Sequence, residues 1–262
     1  MVKRHVVFFA GRTALICLIA CGMSAALRAQ APAQSQTPAQ APQQPAAAAN
    51  TGQITGMISY QGQKPEVYPI NMTNDPVCAE LHSGPVIPAD GAVNPNGSLP
   101  NAFVYLQSSD GKLPSTPPTN PVILAEKGCQ YLPHVLGVMV GQTFEVVNMD
   151  PTTHNVHVLP KLNPQWNVSQ LPGSSSVVRK FLHPDIMIPV RCNVHPWMKA
   201  YVGVVDNPFY TVTGNQGVFT LKEVPPGEYT LRVWTASFGA QERHVTVRAG
   251  ETTTADFTMG SH

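Results

Sequence analysis

The chain has 262 residues, 43% of them apolar, which is enough for a sizeable buried core in one large or two small domains. Its 26 prolines argue against long helices, because proline breaks an α-helix. The formal net charge of +1 and the lack of any basic stripe in the sequence argue against a nucleic-acid-binding protein.

The N-terminal segment, residues 1–29, has the features of a secretory signal peptide. Basic residues precede the short apolar run Thr13–Ala20, and that run is too short for a bilayer, which needs about 20 apolar residues. Two processing routes are open: cleavage after Ala29, or a lipobox that ends at Cys21 and places a membrane-tethering lipid there. Both routes predict a periplasmic or extracellular protein, in a compartment where disulfides form.

Residues 30–52 carry no charge and consist almost entirely of Ala, Gln and Pro, so we predict a disordered or extended linker. From Gln53 onward, short apolar runs alternate with Gly, Pro, Asn and Asp. This pattern predicts an all-β fold. Strands are expected at Ala102–Leu106, Gln142–Val147, Asn155–Leu159, Ser176–Leu182, Ile186–Arg191, Tyr201–Val205, Val218–Leu221, Tyr229–Trp234 and His244–Arg248.

Potential metal ligands are concentrated near the middle of the chain. Cys192, His195 and Met198 follow the spacing C-x2-H-x2-M, and His154 lies upstream in the segment D-P-T-T-H-N-V-H. Two histidines, one cysteine and a weak axial methionine are the ligands of type 1 (blue) copper sites. We therefore predict one copper ion per chain, bound by these four residues. His157, beside the site, is expected at the surface, with an accessory metal or electron-exit role as the alternative.

The cysteine count agrees with this assignment. Removal of the leader leaves Cys78, Cys129 and Cys192, so if Cys192 binds copper the other two are left to form a disulfide. Two alternatives stay open for this pair: free thiols, or a zinc site in which Cys78 and Cys129 act with His82 and His134.

The segment from about Val122 to Val205 resembles the cupredoxins of the plastocyanin and amicyanin class. The resemblance rests on the pattern G-x4-P-x2-L-x-V-x2-G-Q in Gly128–Gln142, on H-N-V in His154–Val156, and on C-x-x-H-P-x-M in Cys192–Met198. It implies a Greek-key β-sandwich over residues 122–206, with a type 1 copper that passes single electrons between redox partner proteins.

The same resemblance implies roles for two further groups. Asn155, which follows the first histidine, would tie the ligand loops together by hydrogen bonds. His195, on the ligand loop, would be the route by which electrons leave for a partner.

The tail, residues 207–262, resembles a carboxypeptidase regulatory-like or transthyretin-like β-sandwich. The motifs are T-x3-G-x-F in Thr213–Phe219, V-P-P-G-E-Y-T-L in Val224–Leu231 and V-x-A-G-E-T-T-x-x-D-F in Val247–Phe257. Because the tail is short for a sandwich, we expect strands within residues 53–121 to supply its first half. The copper domain would then be nested inside this second, smaller β-sandwich.

These features predict an electron carrier rather than an enzyme. The sequence shows no second metal cluster, and the H-C-H signature of multicopper oxidases is absent, since Arg191 and Asn193 flank Cys192. One alternative is an envelope scaffold protein that stores or delivers copper, with the small sandwich as its working module. A copper oxidase or reductase would need an open coordination position, which Met198 is expected to fill.

Overall fold

The structure, a computed structural model, describes residues 50–108 and 113–260, and these are almost entirely β. The predicted signal peptide and nearly all of the linker lie outside the described residues. One short helix, α1 (Pro76–Glu80), lies between the first two strands. The strands in chain order are β1 (Gly52–Gln61), β2 (Phe103–Ser108), β3 (Val122–Glu126), β4 (Tyr131–Leu132), β5 (Val135–Met139), β6 (Phe144–Asn148), β7 (His154–Val158), β8 (Trp166–Gln170), β9 (Val177–Arg179), β10 (Asp185–Arg191), β11 (Lys199–Val205), β12 (Tyr210–Val212), β13 (Val218–Val224), β14 (Gly227–Thr235), β15 (Gly239–Val247), β16 (Thr252–Thr254) and β17 (Phe257–Gly260).

The predicted fold class, an all-β chain built of sandwiches, is confirmed. Among the described residues, no helix is long and apolar enough to cross a bilayer.

Two sheets built from β3 to β11 enclose the first core. One has five strands in the order β5-β11-β10-β7-β8, and the other has four in the order β4-β3-β6-β9. Apolar side chains from both sheets share one buried cluster, with Leu124 and Val146 from the four-stranded sheet and Val156 and Val202 from the five-stranded sheet. In the five-stranded sheet β10 lies between β7 and β11, so the ends of these strands adjoin.

The second sandwich is built from the two ends of the described chain. β1 pairs antiparallel with β13 and parallel with β16 and β17, while β2 lies between β12 and β14. Its core contains Ile54 and Ile58 from β1, Leu106 from β2 and Leu231 from β14. Strands that precede residues 122–206 therefore pair with strands that follow them, which is the pairing expected of a nested arrangement.

The two sandwiches meet at an apolar cluster around Phe103. Gly137 on β5 and Gly203 on β11 are paired neighbours. A Cβ on Gly203 would lie 2.5 Å from Cζ of Phe103, and a Cβ on Gly137 would lie 2.3 Å from the ring of Tyr210. The two glycines thus form a flat surface on which both rings pack, and this contact fixes β5 and β11 against β2 and β12.

Candidate metal centre

The predicted ligands meet where the ends of β7, β10 and β11 adjoin. His154 is the first residue of β7, Cys192 directly follows β10, and His195 and Met198 lie in the turn before β11. Backbone hydrogen bonds close this turn, from the N–H of Met198 to the carbonyl of His195 (2.9 Å) and from the N–H of Cys192 to the carbonyl of Met198 (3.3 Å). One tight turn therefore holds three of the four residues, and the neighbouring strand adds the fourth.

Three donor atoms converge in a space closed to solvent. Nδ1 of His154 lies 2.9 Å from Nδ1 of His195, and Sγ of Cys192 lies 3.9 Å from the same His195 nitrogen. These ligand atoms all lie within 4.8 Å of one another. His154, Cys192 and His195 are 0%, 3% and 1% exposed, and Met198 is buried in the apolar cluster that also contains Cys192. The three donors are close enough to one another to bind one metal ion.

Each histidine uses its other nitrogen to donate to a carboxylate. Nε2 of His154 lies 2.9 Å from Oδ2 of Asp150, and Nε2 of His195 lies 2.7 Å from Oδ2 of Asp75. Asp150 also accepts hydrogen bonds from the backbone N–H groups of Gly128 (2.6 Å) and Cys129 (2.7 Å). Such partners set the tautomer and orientation of a metal-binding imidazole, so that both Nδ1 atoms face the shared space.

Asn155 joins the two segments that carry the ligands. Its Oδ1 accepts hydrogen bonds from the backbone N–H groups of Asn193 (2.6 Å) and Val194 (3.3 Å) and from Sγ of Cys192 (3.5 Å). Its Nδ2 donates to Oδ1 of Asn167 on β8, at 2.7 Å. These contacts tie the start of β7 to the turn that follows β10 and to β8.

The surroundings of Cys192 favour its thiolate. Burial by itself raises the pKa of this thiol, but hydrogen bonds from His154 and from backbone N–H groups outweigh burial and lower the pKa. Burial by itself lowers the pKa of His154, whereas its hydrogen bonds with Asp150 and Cys192 and the charge of Glu126 raise it to about 9. Because thiolates and neutral imidazoles bind metals, a metal ion entering the site would displace a proton.

A segment far away in the sequence covers His195. Asp75 is the N-cap residue of α1, and we call Asp75 together with α1 the cap. The hydrogen bond to His195 is the main reason that the pKa of Asp75 is lowered. Cys78, in α1, forms a disulfide with Cys129, and its Sγ lies 3.5 Å from Nε2 of His195. His195 is therefore shielded from solvent by the cap.

The predicted Cys78–Cys129 disulfide is thus present, and it removes the alternatives left open for these cysteines. Both thiolates that a zinc site would need are consumed by the bond. His82 bonds the carbonyl of Gly128 (2.8 Å), and His134 bonds Asp90 (2.7 Å), so neither histidine points at a metal site.

His157 lies outside the cluster of donor atoms. It is half-buried, with Nδ1 at 3.3 Å from Oδ1 of Asn193 and Nε2 at 2.7 Å from Nε2 of Gln165. His157 therefore lies beside the turn that carries Cys192, His195 and Met198, and both roles considered for it stay predictions.

Two carboxylates near the site were missed by the sequence analysis. Asp75 could have been noticed only through the pattern D-P-x-C, in which an N-cap aspartate and Pro76 begin a short helix that carries a cysteine. Glu126, at the end of β3, is fully buried. Burial raises its pKa to about 7; the charge of His154 opposes this rise and the charge of Asp150 adds to it. No sequence signal marks Glu126 as different from other strand-end glutamates.

Comparisons with known proteins give partial matches to both kinds of domain. A family model of the carboxypeptidase regulatory-like domain matches residues 195–260. A copper-containing nitrite reductase from Thermus scotoductus SA-01 shares 26% identity over 32% of this chain, with a TM-score of 0.30, and the match spans only 22% of the reductase chain.

Two small copper proteins give similar matches over most of their own length. A copper(I) amicyanin variant shares 17% identity over 38% of this chain and 97% of its own, with a TM-score of 0.29. A purple cupredoxin from Nitrosopumilus maritimus shares 22% identity over 32% of this chain and 97% of its own, with a TM-score of 0.27. A search of curated protein sequences found no match.

Proposed function

We propose that this protein is a type 1 copper protein that binds one copper ion and carries single electrons between redox partner proteins. The observation that supports this most directly is the convergence of Nδ1 of His154, Sγ of Cys192 and Nδ1 of His195 in a buried space. Copper held by such a set alternates between Cu(II) and Cu(I), which is the chemistry of one-electron transfer.

The types of donor atom favour copper over other metal ions. Mg²⁺, Ca²⁺ and Mn²⁺ prefer oxygen ligands, but here the carboxylates of Asp75 and Asp150 bind the Nε2 atoms and leave the shared space to nitrogen and sulfur. A structural zinc site would need a fourth nitrogen or thiolate ligand. The chain offers instead the buried thioether of Met198, which suits the weak axial position of a copper site.

The hydrogen bonds around the ligands support a rigid site. Asp150 fixes His154, Asp75 fixes His195, and Asn155 fixes the backbone that follows Cys192. Each partner is in turn bonded to backbone or to another side chain, so the ligands are held independently of the metal ion. Fast electron transfer needs ligands that do not move when the charge of the ion changes.

Burial of the donors supports an electron carrier over the alternatives. A copper enzyme needs an open position where substrate reaches the metal, and a copper-delivery protein needs ligands that an acceptor can reach. His154, Cys192 and His195 are all closed to solvent. We therefore infer no enzymatic activity for this site. Electrons would pass to partner proteins through the residues that cover it.

The proposed setting is the periplasm or the extracellular space. The Cys78–Cys129 disulfide is consistent with an oxidising compartment. The leader in the sequence predicts export, with either release of the mature protein or a lipid on Cys21. The donor and the acceptor are proposed only as redox proteins.

The test combines metal analysis, a visible spectrum and voltammetry on the purified protein. We expect one copper ion per chain, an intense thiolate-to-copper charge-transfer band in the oxidised state and a reversible one-electron wave. Copper that binds without this band, or that exchanges rapidly and gives no reversible wave, would contradict electron transfer and support the copper-storage alternative.

A further inference from the structure

The imidazole of His195 is enclosed on the side opposite the metal-facing nitrogen. Its Nε2 lies 2.7 Å from Oδ2 of Asp75 and 3.5 Å from Sγ of Cys78, residues that precede it by 120 and 117 positions. The rings of His154 and Trp197 lie against it, with centroid distances of 4.8 Å and 5.1 Å. The cap, rather than solvent, therefore determines the surroundings of this nitrogen.

Asp75 is fixed by its own local structure. As the N-cap of α1 it accepts a hydrogen bond at Oδ1 from the N–H of Cys78 (3.1 Å), and its own N–H donates to the carbonyl of Met72 (3.0 Å). The two carboxylate oxygens thus have separate partners, one in α1 and one on His195. The carboxylate holds the imidazole without any rearrangement of the helix start.

The disulfide connects the supports of the two histidines. Cys78 belongs to the cap, and the N–H of its partner Cys129 donates to Asp150 at 2.7 Å. Asp150 in turn accepts the hydrogen bond from His154. Nε1 of Trp197, in the turn between Cys192 and Met198, donates to the carbonyl of Cys129 at 3.0 Å and so attaches this turn to Cys129. Loss of this bond would leave the cap attached to the site without a covalent link, through the hydrogen bond between Asp75 and His195 and through packing.

We propose that Asp75 is a positioning residue for the copper ligand His195 and that the Cys78–Cys129 disulfide keeps the cap closed over it. This inference rests on the proposed copper function and adds to it a group that sets the reduction potential. A carboxylate at Nε2 fixes the tautomer that leaves Nδ1 free for the metal, and it makes Nδ1 more basic. A more basic imidazole favours Cu(II) over Cu(I), so the cap lowers the potential.

The test compares two substitutions that each remove one negative charge from the cap. Asp75→Asn keeps the size of the side chain and replaces the carboxylate on His195 by a neutral amide. Glu80→Gln is the matched control, because Glu80 is exposed at the last position of α1. The measurements are Cu(II) affinity by competition titration and reduction potential by voltammetry.

Asp75→Asn should lower Cu(II) affinity about 10- to 100-fold, as loss of a partner of a metal-binding histidine typically does. If Cu(I) affinity is unchanged, each tenfold loss raises the one-electron potential by about 59 mV. Glu80→Gln should change neither quantity. Equal shifts in both variants would attribute the effect to overall charge and overturn the proposal, as would an unchanged potential in Asp75→Asn.

A measurement on the copper-free protein separates this proposal from the copper function itself. Nitrogen-15 NMR on His154→Ala, which lacks the hydrogen bond between the two Nδ1 atoms, should find the proton of His195 on Nε2 when Asp75 is present and shared between both nitrogens after Asp75→Ala. If the wild type forms no thiolate–copper band, the proposed function fails, whereas the tautomer still decides whether Asp75 positions His195. The same tautomer in both proteins would overturn the positioning role.

The double variant Cys78→Ser/Cys129→Ser tests the disulfide. It retains Cys192 and should keep the charge-transfer band. It should lose copper to a chelator faster than the wild type, and its potential should shift in the same direction as that of Asp75→Asn. A wild-type rate together with a wild-type potential would overturn the role of the disulfide.

Discussion

Replacing Glu126 by glutamine should stabilise the copper-free protein more above pH 7 than near pH 4.5. Glu126 is fully buried at the end of β3, and within the described structure neither carboxylate oxygen has a hydrogen-bond partner. Burial opposes its ionisation most strongly, the charge of His154 favours it, and Asp150 opposes it, so that the pKa is about 7. The protein therefore holds Glu126 protonated at mildly acid pH.

The size of the effect follows from the difference between folded and unfolded states. With a pKa of 4.5 in the unfolded chain and about 7 in the folded protein, ionisation of Glu126 costs the folded state about 3 kcal/mol. Between these two pKa values the folded state binds more protons, so the free energy of unfolding decreases as pH rises. The penalty is absent below pH 4.5 and complete above pH 7.

Glutamine resembles the protonated acid at every pH, so its variant should lack this pH dependence. Urea unfolding of copper-free wild type and Glu126→Gln, followed by tryptophan fluorescence from pH 4.5 to 8, measures the difference. We expect the stability of the variant relative to wild type to increase by about 3 kcal/mol across this range.

Glu145→Gln is the matched control, since Glu145 is half-buried on β6, the strand paired with β3. This control measures what the loss of a carboxylate from the paired strand does to the pH dependence of stability. A pH-independent difference for Glu126→Gln would mean that the buried carboxylate ionises as in water, and the reasoning from its burial would be wrong.

Three further outcomes follow from the site. Cys192→Ser should abolish the blue charge-transfer band, because the thiolate is its source, and a variant that stays blue would remove this ligand. Thiol titration of the denatured, unreduced protein without its leader should find one thiol, since Cys78 and Cys129 are bonded to each other; three thiols would exclude the bond. Met198→Gln should keep copper but lower the potential by voltammetry, because a harder oxygen donor favours Cu(II). An unchanged potential would mean that Met198 is not the axial ligand.

The sequence could indicate the ligand cluster because most of it is local. Cys192, His195 and Met198 are close along the chain, and a turn between neighbouring strands brings such residues together whatever the rest of the fold does. His154 could be added because it begins a strand with a recognisable motif. The structure places these residues at adjoining strand ends, and metal binding by them stays a prediction.

The cap and β5, an edge strand of the five-stranded sheet, could not be predicted, for different physical reasons. Asp75 reaches His195 across 120 positions, and its segment shows no periodicity that reveals where it packs. Val135–Met139, which forms β5, was not expected as a strand, because residues on both of its faces are buried and the apolar–polar alternation is lost. One face meets the core enclosed by the two sheets of β3 to β11, and the other meets the cluster around Phe103.

The position of β1 in its sheet has a consequence for the order of assembly. Its partners β13, β16 and β17 lie near the other end of the chain, and the hydrogen-bonded side chains of Gln53 and Thr252 are 199 positions apart. During synthesis from the N-terminus, every proposed metal ligand is therefore made before β1 can pair with β13, β16 and β17. Folding of the segment between β2 and β12 would bring these two strands side by side. This shortens the effective loop that must close before β1 pairs. We expect the protein to assemble from the inside outward, around a metal site that is already formed.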